Sequence, residues 1–451
     1  MNRNTFREYD IRGVAGTDLD ADGMETLGRA FGTYYRAHDL QRIVAGRDMR
    51  LSSEEYQKAL MHGMATTGCE VIDIGLVPTP VMNFAVETLG ADGGVVVTAS
   101  HNPPQFNGLK SRTKARPLFG RDLQEIWNIA GSGCFAYGRG RIERRDVLDD
   151  YAERIAADIR LARPLHVAVD CGNGTAGLIA PRLLERLGCR LETLYEEPDG
   201  NFPHHIADPT VPEYMQDLSE SVRQSGALLG IGFDGDADRV GLVDETGRLR
   251  YGDELLVLFA RALLPLRPGP VVFDVKCSQA LVEEVQRLGG TAEMWRTGYP
   301  HIMSRMRETG AQLGGEMSGH MFFADRYFGY DDGIYAACRA LEILAAGERG
   351  LGESLADLPR FVSTPEIRVD STDEDKFRLV EEVAAHFRPS QPTIEVDGVR
   401  ILFPEGWALV RASNTQPILV LRFEASSDSA LAAIRGSVEE KLATLGVVAV
   451  R

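Results

Sequence analysis

A pattern of apolar and polar positions occurs three times along this chain. Each copy opens on an apolar run, continues with helically spaced apolar residues up to a glycine, and returns to a second apolar run. The opening runs lie at residues 43–48, 166–170 and 271–274, and the helices are expected to end at Gly68, Gly188 and Gly289. Strand, helix and strand within about 30 residues predict a βαβ unit with parallel strands and a right-handed crossover.

In each copy a third apolar run leads into a polar loop. The runs at 94–97, 228–233 and 311–314 precede the loops at 98–104, 234–239 and 315–320. Ligands of open α/β sheets bind beyond the carboxyl ends of the strands. If the three units pack around a common cleft, these three loops are expected to meet there.

The last 90 or so residues follow a different pattern. Strands are predicted at 367–369, 399–403, 407–411 and 418–423, and helices at 377–387 and 430–445. The predicted fold is therefore α/β, with three similar units of mixed, mainly parallel sheets plus a smaller C-terminal α+β domain around a central cleft. The expected domains are 1–148, 149–250, 251–362 and 363–451.

Composition narrows the range of partners. The chain has 451 residues, of which 44% are hydrophobic and 25% charged, and its net charge is −17. An excess of negative charge disfavours nucleic acid and anionic membranes as partners, although a local basic pocket can still bind an anionic substrate. Six cysteines without a C-x-x-C pair, and no apolar N-terminal segment, indicate a reduced cytoplasmic protein.

The second loop carries three alternating aspartates, Asp234, Asp236 and Asp238. In an extended segment these positions point to one side, so that their carboxylates would converge on a hard cation such as Mg²⁺. A solvated acidic turn is one alternative. An EF-hand is another, but Arg239 stands at the loop position that requires glycine, and a strand precedes the loop.

The first loop presents Ser100 directly after a buried strand, where the following Asn-Pro-Pro cannot continue that strand. A serine hydroxyl is a weak nucleophile and needs a base or a metal, and His101 and Lys110 are the nearby candidates. His101 could equally serve only to hold the loop. A phosphate on Ser100 would supply a further oxygen ligand to a metal bound by the aspartates.

Two further loops offer groups that suit a sugar phosphate. One loop combines a guanidinium, hydroxyls and an amide, which can donate hydrogen bonds to a phosphate dianion. Its residues are Arg411, Ser413, Asn414 and Thr415. The alternative there is an ordinary hairpin turn. Glu316, Ser318 and His320 could bind sugar hydroxyls, although a glycine-rich turn with solvated polar groups explains that segment equally well by itself.

Four motifs in order, T-A-S-H-N-P, D-G-D-A-D-R, G-E-M-S-G-H and R-A-S-N-T-Q-P, make the chain resemble the α-D-phosphohexomutases of the phosphomannomutase/phosphoglucomutase group. The opening segment, residues 6–13, resembles that group as well. The resemblance implies four domains around a cleft and a phosphate on Ser100. It also implies Mg²⁺ held by that phosphate and by Asp234, Asp236 and Asp238.

The resemblance further implies roles for the remaining loop residues. Lys110 would act as a general acid or base, and the reaction centre would be lined by Tyr9, Arg12, Lys110, Arg239 and His320. Glu316 and Ser318 would bind the sugar, and the non-reacting phosphate would be held by Arg411, Ser413, Asn414 and Thr415. The implied substrates are hexose phosphates, with a hexose 1,6-bisphosphate as activator and a monomer or small homo-oligomer as the assembly.

The chain differs from the group at several positions. Members commonly have glycine at Ala237, glutamate at Gln416 and histidine at Tyr299, and His301 lies two residues beyond Tyr299. Either Tyr299 or His301 could take the acid/base role of that histidine. A phosphoglucosamine mutase and a metal-dependent phosphatase with a serine nucleophile are the competing functions.

Overall fold

The computed structural model describes residues 2–414 and 416–447. Within these residues the chain forms four β-sheets, one after another along the sequence, with helices packed against each. We call the four units domains I to IV. The predicted fold class, with three α/β units and a smaller α+β unit, is confirmed.

Domain I is built on a mixed sheet. Its strands are β1 (Ile11–Val14), β2 (Arg42–Arg47), β3 (Glu70–Leu76), β4 (Gly93–Val97), β5 (Phe106–Thr113) and β6 (Arg141–Arg144). They are arranged in the order β1-β5-β4-β2-β3-β6. Its helices are a short 3₁₀ segment (Arg3–Thr5), α1 (Ala21–Ala37), α2 (Ser53–Thr66), α3 (Thr79–Thr88) and α4 (Arg121–Ser132).

Domain II repeats this plan on a smaller scale. Helix α5 (Leu148–Asp158) leads into it, and its strands are β7 (His166–Asp170), β8 (Arg190–Leu194), β9 (Leu229–Phe233), β10 (Val240–Val243) and β11 (Leu249–Arg250). The order is β11-β10-β9-β7-β8. Its helical segments are Thr175–Leu178, α6 (Ala180–Arg186), Pro212–Met215 and α7 (Gln216–Ser225).

Domain III has the sheet order β13-β12-β14-β15. These strands are β12 (Pro270–Asp274), β13 (Thr291–Trp295), β14 (Leu313–Gly315) and β15 (Met321–Phe323). The helices are α8 (Gly252–Leu263), α9 (Gln279–Arg287), α10 (Tyr299–Thr309), α11 (Gly333–Ala345) and α12 (Leu351–Ser354).

Domain IV is an antiparallel sheet covered by two helices, α13 (Lys376–Phe387) and α14 (Asp428–Thr444). Its strands are β16 (Val362–Ser363), β17 (Ile367–Asp370), β18 (Thr393–Ile394), β19 (Val399–Phe403), β20 (Gly406–Ala412) and β21 (Ile418–Ala425). The main path is β16-β21-β20-β19-β18, and β17 also pairs with β21. The predicted domain boundaries stay a prediction. The last of them, between residues 362 and 363, divides β16, both residues of which pair with β21.

Domains I to III share one topology. In each, a central strand (β2, β7 or β12) pairs in parallel with two neighbours. A return strand (β5, β10 or β15) then pairs antiparallel with the third strand. The sequence analysis did not identify these return strands, because β5 buries Asn107, Lys110, Ser111 and Arg112, whose polar side chains hide its pattern. The three polar loops each connect a third strand with its return strand.

The hydrophobic core is divided unevenly among the domains. One cluster runs through domains I, II and III and includes Val44, Val167 and Val271. Domain IV has a separate cluster around Val383, Leu421 and Val438. A smaller buried cluster joins Val275 of domain III to Trp407 and Leu409 of domain IV.

The longest helices of the described residues, α1 and α14, have 17 residues each. Among the residues that the structure describes, no helix is long and apolar enough to cross a membrane.

Candidate active site

Ser100 lies in the loop between β4 and β5 and is almost fully buried. Its φ of +49° places it in the left-handed region, which is strained for a residue with a side chain. The hydroxyl oxygen Oγ donates to Oδ2 of Asp234 at 2.7 Å and lies 3.0 Å from Nδ1 of His101. The first two polar loops are therefore in direct contact, as the sequence predicts.

The surroundings of His101 favour the neutral form of its ring. Burial, together with the cations Arg239 and Arg12, holds the pKa of His101 well below its usual range. A neutral imidazole next to a serine hydroxyl can act as a base. The contact also holds the loop, so that both roles proposed from the sequence remain compatible with the geometry.

Asp234, Asp236 and Asp238 converge, and none of the three is exposed. One carboxylate oxygen from each lies within 4.8 Å of the others. The predicted reason for the convergence is wrong, since the segment is not extended: it forms a turn in which Ala237 has a φ of +60°. The predicted cluster of aspartates is present, but a turn rather than an extended backbone brings the three side chains together.

Like charges at this density disturb the ionisation of the cluster. Burial and the neighbouring carboxylates of Asp238 and Asp236 raise the pKa of Asp234 well above its usual range. Burial would also raise the pKa of Asp238, but the Lys110 ammonium and His320 outweigh it and hold that pKa well below its usual range. The cluster therefore needs nearby positive charge in order to stay ionised.

Lys110 supplies part of that charge from β5. Its Nζ donates to Oδ2 of Asp236 at 2.7 Å and also to Oδ2 of Asp238. Burial alone would lower the pKa of Lys110, but the three carboxylates outweigh it, and the net effect raises the pKa. Lys110 is therefore an ammonium ion that holds its proton firmly, which favours a role as a fixed cation over a role as a base.

The donor set fits a hard divalent cation. Within the part of the chain that the structure describes, the buried Oδ1 atoms of Asp236 and Asp238 accept no hydrogen bond, although Nε2 of His320 lies 3.4 Å from Oδ1 of Asp238. Carboxylate oxygens are the ligands that Mg²⁺ prefers, and buried oxygens without a donor would gain most from a cation. A residue that sequence reasoning missed supports this cluster: Thr79 donates from Oγ1 to Oδ2 of Asp236 at 2.6 Å. Its only signal was its place at the start of a helix after β3.

The domain III loop meets this cluster through His320. Its Nδ1 lies 2.7 Å from Oε2 of Glu316, and its Nε2 lies 3.4 Å from Oδ1 of Asp238. Burial and Arg239 lower the pKa of His320, but Asp238 and Glu316 outweigh them and raise it to about 9. Oγ of Ser318 lies 3.2 Å from the His320 ring, so all three residues predicted in this loop lie together.

Arg239 and Arg12 add two further cations at the serine loop. Nε of Arg239 lies 3.9 Å from Oδ2 of Asp234 and 3.2 Å from Nε2 of His320. Arg12 donates to Oδ1 of Asn102 at 2.8 Å and pairs with Asp10 at 2.6 Å. The predicted catalytic residues of domains I, II and III are thus brought into one buried centre.

The domain IV loop lies at a distance from this centre. Arg411 is buried and held by Oδ2 of Asp397 at 3.0 Å. Burial alone would lower the pKa of Arg411, but Asp397 and other anions raise it. Asn414 lines a cleft of about 770 Å³ whose other wall is formed by domain I residues, among them Arg7, Phe119 and Arg121.

Ser413 and Thr415 are two further predicted phosphate-binding residues of domain IV. Ser413 is buried in the same loop, and its Oγ accepts from the backbone N of Gln416 at 3.2 Å. Thr415 lies outside the described residues. Tyr9 lies between the loops of domains III and IV: burial, Asp10 and Glu316 raise its pKa to about 12, while Arg411 opposes that rise.

Tyr299 and His301 both begin α10, but they face different groups. The Tyr299 ring centroid lies 6.0 Å from Nζ of Lys110, and its hydroxyl is 3.4 Å from the backbone O of Tyr9. The His301 ring packs edge-on against Phe119 at 5.1 Å. Burial raises the pKa of Tyr299 well above its usual range, so its hydroxyl stays protonated and cannot serve as a base near neutral pH.

Sequence reasoning also missed Asp331, which lies at the edge of the centre. Its Oδ2 is 3.9 Å from Nε2 of His320. Burial and the Asp238 carboxylate raise the pKa of Asp331 to about 7. The sequence around Asp331 indicates only the start of a helix, because the adjacent Asp332 caps α11.

The whole chain is similar to one family of proteins. Four consecutive segments match the family models of phosphoglucomutase/phosphomannomutase: residues 3–134 match alpha/beta/alpha domain I, 149–247 domain II, 251–361 domain III and 366–441 the C-terminal domain.

Individual relatives agree with this match. The chain is 45% identical over 432 residues to a phosphomannomutase/phosphoglucomutase of Pseudomonas aeruginosa, covering 95% of this chain and 93% of that protein. It is 41% identical to a phosphoglucomutase of Neisseria gonorrhoeae, covering 96% of both. A crystal structure of a phosphoglucomutase/phosphomannomutase family protein from Burkholderia thailandensis superposes with a TM-score of 0.94 at 42% identity, covering 99% and 98% of the two chains.

The acidic cluster predicts a measurable metal affinity. Asp236→Asn should weaken Mg²⁺ binding at least about tenfold, because one of three converging charges is lost. Asp244→Asn is the matched control, since Asp244 is equally buried but pairs with Arg250 outside the cluster. Calorimetric titration with Mg²⁺ measures both. Equal affinity in the two variants would contradict a site at these aspartates.

Metal binding should also depend on pH. Because the pKa of Asp234 is raised, protons compete with the cation, and Mg²⁺ affinity should fall as the pH is lowered. Titration in buffers of different ionisation enthalpy should show protons released on binding. A pH-independent affinity without proton release would show that Asp234 is already fully ionised.

Proposed function

We propose that this chain, which belongs to the phosphoglucomutase/phosphomannomutase family, interconverts hexose 1-phosphates and hexose 6-phosphates of mannose and glucose. A phosphate on Ser100 and a hexose 1,6-bisphosphate are the intermediates of the reaction. The observation that carries the proposal is the buried Ser100 hydroxyl, which lies 2.7 Å from a carboxylate of a three-aspartate cluster. The family match of all four domains supports it.

The reaction consists of two transfers in opposite directions. In the first, the bond between phosphorus and Oγ of Ser100 breaks and a bond forms to the free hydroxyl oxygen of the sugar phosphate. The proton of that hydroxyl passes to an acid/base group of the centre, and the departing Oγ takes up a proton, so that Ser100 is left as a hydroxyl. The bisphosphate then turns over in the cleft, and its other phosphoryl group returns to Oγ. In that return step the neutral His101 ring, 3.0 Å from Oγ, can accept the serine proton.

Positive charge near Oγ lowers the barrier for both transfers. Lys110, Arg239 and Arg12 are fixed cations next to the serine loop, and preorganised charge of this kind stabilises a transferring phosphoryl group. Mg²⁺ held by Asp234, Asp236 and Asp238 would add charge stabilisation of the same group. His320, with a pKa of about 9, is protonated at neutral pH and can serve as an acid.

Turnover of the intermediate requires a second, fixed phosphate site. We assign it to the domain IV loop, where Arg411, Ser413, Asn414 and Thr415 offer donors, with Tyr9 beside them. Glu316 and Ser318 bind sugar hydroxyls between the two ends. Burial opposes the ionisation of Glu316, but His320 and Lys276 lower its pKa to about 2, so that it is a hydrogen-bond acceptor at any physiological pH.

The cellular setting is part of the proposal. All six cysteines are free, as is typical of a reducing compartment, which supports a cytoplasmic location. The net charge of −17 disfavours nucleic acid or a membrane as partner. We expect hexose phosphates as the ligands, a hexose 1,6-bisphosphate as activator, and a monomer or small homo-oligomer.

Ser100→Ala should remove most of the turnover while sugar phosphate still binds, because the phosphoryl acceptor is lost but the other loops remain. Mass spectrometry of the wild-type protein should find one phosphate on the peptide that contains Ser100. Ser225→Ala, which changes a serine far from the site, is the control. Near-normal activity of Ser100→Ala without another phosphorylated residue would refute the role of Ser100.

Arg411→Ala should raise KM roughly ten- to a hundredfold, since one charge-assisted contact to phosphate contributes about 1.5–3 kcal/mol. Arg411→Lys keeps the charge but loses the two-pronged geometry, so its KM should lie between those of Arg411→Ala and the wild type. Steady-state kinetics with glucose 1-phosphate measure both. If KM stays unchanged in Arg411→Ala, the second phosphate lies elsewhere.

Mannose 1-phosphate and glucose 1-phosphate should have kcat/KM values within about tenfold of each other, a difference near 1.4 kcal/mol. If Glu316 and Ser318 bind O3 and O4, the O2 hydroxyl that distinguishes the two sugars is not recognised. Glucosamine 6-phosphate should be a clearly poorer substrate. A strong preference for it would favour a phosphoglucosamine mutase, and free phosphate in place of an isomer would favour a phosphatase.

A further inference from the structure

Arg50 lies between β2 and α2, and its side chain reaches into the loop that carries Ser100. That side chain has no exposed surface. A guanidinium has five N–H donors in a fixed fork. Here Nε donates to Oδ2 of Asp48 at 3.1 Å. The two terminal nitrogens donate to four backbone carbonyls, those of Ser100 (2.7 Å), Asn102 (2.5 Å), Pro103 (2.7 Å) and Phe106 (3.0 Å). Every donor of the guanidinium therefore has an acceptor.

Arg50 is itself held from two sides. Asp48 accepts from the backbone N of Arg50 at 3.0 Å and from Oγ of Ser53 at 2.5 Å, which fixes the carboxylate that holds Nε. From domain II, the ring of Phe202 lies 5.1 Å from the guanidinium carbon. The cation is thus rigid relative to both domains that form the centre.

The carbonyl of Ser100 is the point at which this support reaches the nucleophile. Its oxygen accepts from Arg50, and on the metal loop a side-chain carbon at Gly235 would lie only 2.5 Å from the same oxygen. The Ser100 backbone is therefore held between the guanidinium and the domain II loop. This support explains how a buried non-glycine residue keeps a φ of +49°.

We propose that Arg50 is a positioning residue for phosphoryl transfer, which holds the Ser100 loop in the strained conformation that directs Oγ towards Asp234. Its guanidinium is fully used by Asp48 and the loop carbonyls, so it acts through the backbone and not through the substrate. Lysine offers three donors on a point charge and cannot span four carbonyls. The inference rests on the proposed function, because its main readout is the transfer step.

The test compares Arg50→Lys with Arg339→Lys. Arg339 is also buried and pairs with Asp325 through two nitrogens, but it lies on α11 away from the serine loop. In Arg50→Lys we expect kcat to fall at least about tenfold. The Kd of glucose 1-phosphate for the dephosphorylated protein should stay within about threefold of the wild-type value. In Arg339→Lys both kcat and Kd should stay within about twofold of the wild-type values, even if its melting temperature falls as much as that of Arg50→Lys.

Two further readouts separate positioning from general destabilisation. Transfer of phosphate from glucose 1,6-bisphosphate to Ser100, followed by intact mass, should slow in Arg50→Lys and not in Arg339→Lys. Amide hydrogen exchange at residues 99–106 should rise only in Arg50→Lys. If Arg50→Lys does not fold, Asp48→Asn loosens the same guanidinium and should show the same split between kcat and Kd.

The outcomes are distinct. A wild-type protein without mutase activity and without phosphate on Ser100 would refute the proposed function. An active wild type, combined with an Arg50→Lys variant whose kcat is within twofold of it, would overturn the inference alone. A loss of affinity without slower phosphorylation of Ser100 would also overturn it, because Arg50 would then act on substrate binding.

Discussion

Three carboxylates that face one another out of contact with water are the constraint on which the rest of this structure depends. The turn that brings them together belongs to domain II, which itself supplies Arg239 as a neighbouring cation, but other compensating groups come from elsewhere. Lys110 and Thr79 come from domain I, and His320 comes from domain III. The centre is complete only when three domains are packed together, which agrees with the hydrophobic cluster that runs through all three.

The same constraint explains the strained backbone of the serine loop. Ser100 must approach the carboxylates closely enough to make a 2.7 Å hydrogen bond, and the backbone that achieves this is strained. A strained loop keeps one conformation only if its surroundings leave no alternative. The buried guanidinium below the loop and the close approach of Gly235 above it meet that need. Chemistry and packing are therefore tied to each other at this point.

Much of the fold could be predicted from the sequence, and the reason is its repetition. In α2, α6 and α9 the helix is followed by a glycine in the left-handed region, at Gly68, Gly188 and Gly289, which marks the three βαβ units clearly. The return strands escaped notice because they are short or bury polar side chains. Arg50, Thr79 and Asp331 escaped because their importance lies in contacts between segments distant in sequence. Asp331 and Thr79 resemble ordinary residues at the start of a helix, and nothing local distinguishes them.

Domain IV is packed around a core of its own and is joined to domain III by a small buried cluster that contains Val275, Trp407 and Leu409. Buried polar groups add to this contact: Arg400 stacks on Trp407 and donates to the backbone carbonyls of Val275 and Cys277. Any rotation of domain IV against domain III must therefore disrupt these buried contacts together. In mechanical terms, this interface fixes where the loop at Arg411 stands relative to domain III.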